Sequence, residues 1–116
     1  MTVNDIVKEL DLSVCCGESK LGLQVTGGYA SDLLSNVIAN SKAGNVWVTM
    51  QAHVNIVAVA VLKELAAIIL VNGRAPAEDT LRKAIDEQVT ILVSKLSAFE
   101  TVGKLYALGI GNVERC

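Results

Sequence analysis

The sequence predicts a three-layer α/β/α domain around a largely parallel sheet. Two observations carry that expectation. The runs VWVTM (46–50), AAIILV (66–71) and VTILV (89–93) are short and apolar at nearly every position. Strands buried on both faces read this way, whereas half-exposed strands alternate. Each run is followed by a segment of helical composition, and parallel neighbours need such a crossover. From residue 46 onward the order is strand, helix, strand, helix, strand, helix.

The elements can be justified in chain order. Thr2 with Asp5 marks a helix start, and Ile6, Val7 and Leu10 then share one face. DLSVCCG (11–17) is a short strand ending at Gly17, and ESKLG (18–22) is a turn. LQVTGGYAS (23–31) reads as a second strand with its glycines near the end. Asp32 or Ser31 caps the next helix, whose apolar residues are Leu33, Leu34, Val37 and Ile38. NSKAGN (40–45) breaks it. NIVAVAVL (55–62) alternates like a strand but runs into KELAA. The need for a crossover decides for a helix over about 55–65, capped by Asn55 and apolar nearly all round. NGRAPAED (72–79) is a loop with the only proline. A helix over 77–87 carries Leu81, Ala84 and Ile85 inward. Ser97 and Glu100 form a capping box for the last helix, which presents Phe99, Val102, Leu105 and Tyr106. Gly109 ends it, giving one domain over 1–110 and a loose tail over 111–116.

Composition narrows the function classes. A chain of 116 residues buries roughly two-thirds of its unfolded surface and needs no staples. It is 52% hydrophobic but only 3% aromatic, so the core is aliphatic. The apolar excess predicts an interface with a second copy. A net charge of −2 without a basic stripe argues against nucleic acid. The apolar stretch from Val54 to Val71 holds Asn55, Lys63 and Glu64 and is shorter than the ~20 residues of a membrane span. MTVNDIVKEL is acidic and lacks an apolar signal region, so the expected location is cytoplasmic. Cys15, Cys16 and Cys116 are no disulfide framework, and no second ligand pair makes a zinc site. The adjacent pair reads first as buried reduced cysteines at a strand end, with a reactive vicinal pair as the lesser alternative. No cofactor and no metal is expected.

In open α/β sheets, ligands bind beyond the carboxyl ends of the strands. The residues expected there are Thr49, Gln51, His53 and Asn55 after the first apolar run. Asn72, Gly73 and Arg74 follow the second, and Ser94 the third, with Thr26, Gly27 and Gly28 joining them. Helix N-termini beside such a rim favour anions. Caps and turns need the same residue types at strand ends, so the pattern alone does not make a site. Thr26-Gly27-Gly28 has no following Gly-Lys-Ser/Thr and lacks the dinucleotide glycine spacing. Asp32 reads as a helix cap. His53, the only histidine, has no carboxylate or cysteine nearby in sequence, so no catalytic residue is assigned.

The segment QVTGGYASDLLSNV (24–37) resembles the DRTGG domain family. The likeness extends to MTVNDIVKELDL, AGNVWVTMQAHVNIVAVA, AAIILVNGRAP and LSAFETVGKLYALGI. Gln24 and Val25 stand where the motif has Asp and Arg, while Thr26, Gly27 and Gly28 are kept. The resemblance implies a fold like the N-terminal domain of HPr kinase/phosphorylase. It also implies a regulatory or assembly role, because such domains accompany phosphate acetyltransferase domains and nucleotide-binding regulatory domains of some pyrophosphatases. The kept glycines favour backbone approach over chemistry. The leading expectation is a non-enzymatic module that homodimerises through aliphatic surface and binds a small anionic metabolite or nucleotide. The alternative is a structural docking subunit of a larger enzyme with no ligand of its own. A small enzyme using His53 comes last.

Overall fold

The computed structural model describes residues 1–110, so the expected loose tail over 111–116 lies outside the described residues. A five-stranded sheet runs in the order β1-β5-β4-β3-β2. Strands β2 (Gly27–Ala30), β3 (Asn45–Thr49), β4 (Ala67–Leu70) and β5 (Ile91–Val93) are mutually parallel, and β1 (Ser13–Cys16) joins β5 antiparallel. The fold is the expected mixed α/β arrangement, with helices on both faces of a mostly parallel sheet. Helices α1 (Val3–Leu10) and α5 (Ala98–Ala107) cover one face. Helices α2 (Leu34–Asn40), α3 (Asn55–Lys63) and α4 (Glu78–Glu87) cover the other.

Alternation explains both faces. Val46, Val48, Ala67, Ile69 and Leu92 point toward α1 and α5. Trp47, Ile68, Leu70 and Ile91 point toward α2, α3 and α4. With a side-chain period of two, strands without polar positions must be covered on both sides. Trp47 is fully buried, and its indole N–H donates to the Ser31 carbonyl at 2.8 Å.

The ends of elements follow local chemistry. The Thr2 hydroxyl accepts from the Asp5 N–H, and the Asp5 carboxylate accepts from the Thr2 N–H. Those bonds hold the Asp5 carboxyl below its usual pKa. Ser97 caps α5 by accepting from the Glu100 N–H. The expected box is only half closed, because Glu100 takes the Ser97 hydroxyl instead of its N–H.

Four expectations need correction. The second strand is shorter than expected and opens with its glycines. Gln24 bridges to Thr2, the Val25 N–H donates to the Met1 carbonyl, and the Thr26 N–H donates to the Gly44 carbonyl. Those bonds take the backbone away from the ladder until Gly27. Neither Ser31 nor Asp32 caps α2, whose N-cap is Leu33 with no side-chain bond. Asn55 is the first residue of α3, and Val54 holds the cap position. Ile85, expected to face inward on α4, faces out; Leu33 before α2, Ile38 on α2, and Phe99 and Tyr106 on α5 are exposed as well. Helical spacing identifies an apolar stripe, but only the sheet behind the helix decides which part of it is covered.

Gly17 ends β1 in the left-handed region (φ 86°), and a Cβ there would lie 2.5 Å from the Thr90 Cα. The Thr90 hydroxyl donates to the Gly17 carbonyl at 3.0 Å. Both backbone conformation and space require glycine here. Gly17→Ala is expected to lower stability by about 2 kcal/mol or more, read as a lower urea midpoint with an unchanged m-value.

Candidate functional site

The carboxyl end of β3 is organised by Asp32. One of its carboxylate oxygens accepts from the Thr49 hydroxyl and from the Met50 N–H, both at 2.7 Å. The Gln51 amide donates to the Asp32 carbonyl at 3.3 Å. The Thr49 oxygen in turn accepts from the Gln51 N–H. Ser31 adds a donation from its N–H to the Val48 carbonyl. The loop between β2 and α2 is thereby latched across the end of β3.

Beside the latch lies a shallow depression of about 310 Å³ lined by Asp32, Met50, Gln51, Ala52, His53 and Arg74. It opens next to the start of α3, whose N-terminus has no side-chain cap. In its first turn the Ile56 and Val57 N–H groups donate to the His53 and Val54 carbonyls, and the helix dipole leaves partial positive charge at this end. Arg74 forms no ion pair among the described residues. The depression thus holds one guanidinium, one imidazole, one amide and one carboxylate already engaged by two donors. It offers hydrogen bonds and positive charge to an anion. It contains no nucleophile held against a base.

Some of the expected rim residues are brought together and others are not. Gln51 and His53 line the depression, and Asn55 follows at the exposed start of α3. Asn72 reaches the same rim, where its amide lies 3.6 Å from the Met50 sulfur. Asn72 and Gly73 both have positive φ, and the Arg74 N–H donates to the Val71 carbonyl. That is the geometry of a type I′ turn, which explains the Asn-Gly pair and aims Arg74 at the rim. Thr49 lies beneath the rim, buried with its hydroxyl engaged. Ser94 is also buried, paired with Thr101 at 2.9 Å and accepting from the Leu96 N–H.

Thr26, Gly27 and Gly28 are at the other end of the sheet. Gly27 pairs with Asn45, the first residue of β3, and four further residues at ~3.3 Å each separate that level from Thr49. The Thr26 hydroxyl donates to the Ala43 carbonyl at 2.7 Å and accepts from the Asn45 amide. A Cβ on Gly28 would meet Ile110 Cγ2 at 3.4 Å and Val46 Cγ2 at 3.6 Å. The glycines therefore sit where β2 starts and the end of the α5 segment comes close. They do not join the carboxyl rim.

Asp32 and Arg74 are the residues that matter most to this geometry. Sequence reading assigned Asp32 to a cap, because an Asp before a helix usually is one. Its bonds to residues 17 and 18 positions away are not encoded locally. Asp32→Ala leaves the buried Thr49 hydroxyl without its acceptor and is expected to cost about 1–3 kcal/mol. Asp32→Asn keeps an acceptor oxygen and should lose clearly less, both measured by chemical denaturation.

No family model matches the chain, and no curated protein matches it in sequence. Among solved structures, the chain resembles the crystal structure of the CBS and DRTGG domains of the regulatory region of Clostridium perfringens pyrophosphatase, complexed with its activator diadenosine tetraphosphate. The TM-score is 0.73 at 12% identity, over 90% of this chain and 45% of that one. The chain spans less than half of that regulatory region, and the likeness supports a DRTGG-like fold.

Proposed function

We propose that this chain is a non-enzymatic regulatory module of the DRTGG type that binds a small anionic metabolite or nucleotide. The observation that carries the reading is the convergence of Arg74, His53 and Gln51 on one depression beside the uncapped start of α3. Anions are favoured there by the exposed Arg74 guanidinium and by the positive end of the α3 dipole together. The structural neighbour belongs to a regulatory region and was solved with diadenosine tetraphosphate. That places adenine nucleotides first among the ligands to be tried. No helix among the described residues is long and apolar enough to cross a membrane.

A ligand at 100 times its dissociation constant stabilises the native state by about 2.7 kcal/mol. A panel of adenine and guanine nucleotides should therefore raise the melting temperature through one or a few members. Arg74→Ala should weaken that response by roughly 10-fold or more, as loss of a charged hydrogen-bond donor does. His53→Ala should weaken it less. A panel without any response, or a response unchanged in Arg74→Ala, overturns the reading.

The same reading includes a homodimer, supported by surface that the monomer leaves apolar. Between Asn55 and Lys63 every residue of α3 is apolar, yet only one side of the helix meets the sheet. Val54, Val61 and Leu62 face outward, Leu62 with 64% of its surface exposed, and the exposed Ile38 is on neighbouring α2. A symmetric pair of α3 faces would remove these side chains from water. The docking alternative is favoured by a different surface. Phe99, the chain's only phenylalanine, is 89% exposed on α5, with Tyr106 also exposed. Aromatic anchors of this kind are enriched at interfaces. Leu62→Glu should convert a dimer to monomer in light scattering, while Phe99→Ser leaves the mass unchanged. The reverse pattern would move the self-interface to α5.

A further inference from the structure

Adjacent residues of a regular strand point to opposite faces of a sheet. Strand β1 departs from that rule at its two cysteines. Val14 pairs with Leu92 and Cys16 with Ile91, so Cys15 is an extra residue opposite two consecutive partners. The packing shows the consequence. Leu12 and Val14 lie on the α1 and α5 side of the sheet. An unbroken strand would carry Cys16 to that same side. Instead both Cys15 and Cys16 pack on the α4 side. There they line one depression of about 500 Å³ together with Glu18, Ala84 and Ile85.

The pair is fixed in this arrangement. Gly17, held against Thr90, turns the chain immediately after Cys16. The Cys16 thiol donates to the Val89 carbonyl at 3.3 Å. Both thiols are free; Cys16 is buried and Cys15 half-buried.

The donor set limits what the pair can hold. Among the described residues, no group of three or more His, Cys, Asp or Glu forms a metal-binding cluster. Four-coordinate zinc therefore lacks ligands. A soft centre satisfied by two sulfurs remains. Burial pushes both thiols above the usual cysteine range, and for Cys16 the neighbouring Cys15 adds to the effect. Such a pair reacts best with a partner that carries its own acceptor for the thiol protons. An organic arsenic(III) oxide meets this requirement. Two As–S bonds form, the arsenic–oxygen bond breaks, and the two thiol protons leave with that oxygen as one water. No electrons are transferred.

We infer that Cys15 and Cys16 form a chelating dithiol site for a soft, thiophilic centre bound through two sulfurs, of the monoorgano-arsenic(III) class. The organic group lies toward Ala84 and the outward-facing Ile85, the apolar part of the wall. This site is independent of the carboxyl-end depression.

The test uses the full chain with Cys116→Ser, which leaves this pair as its only thiols, and phenylarsine oxide as probe. Native mass spectrometry should show one arsenical per chain, with the circular dichroism of the folded protein retained. The adduct should resist excess monothiol and be released by a small dithiol. Adding Cys15→Ser should leave one sulfur and weaken retention about 100-fold, the scale of a lost second attachment. Cys15 is half-buried, so this variant tests the site even if Cys16→Ser fails to fold. Two results overturn the inference: an adduct stripped by monothiol as readily as from the Cys15→Ser chain, or an adduct that forms only as the dichroism is lost.

Discussion

Trp47, Ile68, Leu70 and Ile91 face one side of the sheet, and Val46, Val48, Ile69 and Leu92 face the other. None of these side chains can be left in water without losing a contribution of about 1.5–3 kcal/mol each for the larger ones. The central strands therefore require two helical layers, and the chain supplies them as crossovers. Even the apolar run of α3 between Asn55 and Lys63 follows from this demand. Its inner side must match an apolar sheet, and its short length leaves little room for a contrasting face. The resulting outward apolar side chains are the surface on which self-association is proposed.

Parallel strands also place all their carboxyl ends at one edge of the sheet. That edge is closed by Asp32, which ties the β2–α2 loop to the end of β3 through Thr49 and Met50. The same loop shapes one wall of the depression that holds His53 and Arg74. Structure and candidate site thus share a residue. A buried hydroxyl needs an acceptor, and meeting that need positions the rim. The carboxylate's engagement with two donors keeps it compatible with an anion nearby, because part of its charge is already balanced by N–H and O–H dipoles.

The two edge strands are treated differently from the centre. At β2 the ladder begins only at Gly27, and Thr26 is bonded to the loop before β3. Gly28 thus serves packing, beneath Ile110. At β1 a bulge turns Cys16 from one face to the other. Both features arise where a strand has a partner on one side only. Local irregularity is tolerated there because fewer ladder hydrogen bonds are at stake.

The layered class, the three central strands and their crossovers were legible in the sequence, because hydrophobic pattern alone demands burial on both faces. The helix starts at Thr2 and Ser97 were legible too, since capping is an interaction over three residues. Three matters were decided only by tertiary structure. Asp32 became a latch instead of a cap, because its partners lie 17 and 18 positions away. The Thr26–Gly28 segment went to the amino end of the sheet, because strand β2 begins at its glycines and not before. Cys15 and Cys16 came to share a face, because their pairing with β5 skips a residue. Period and composition report how much must be buried. They do not report register, and register assigns each side chain its neighbours.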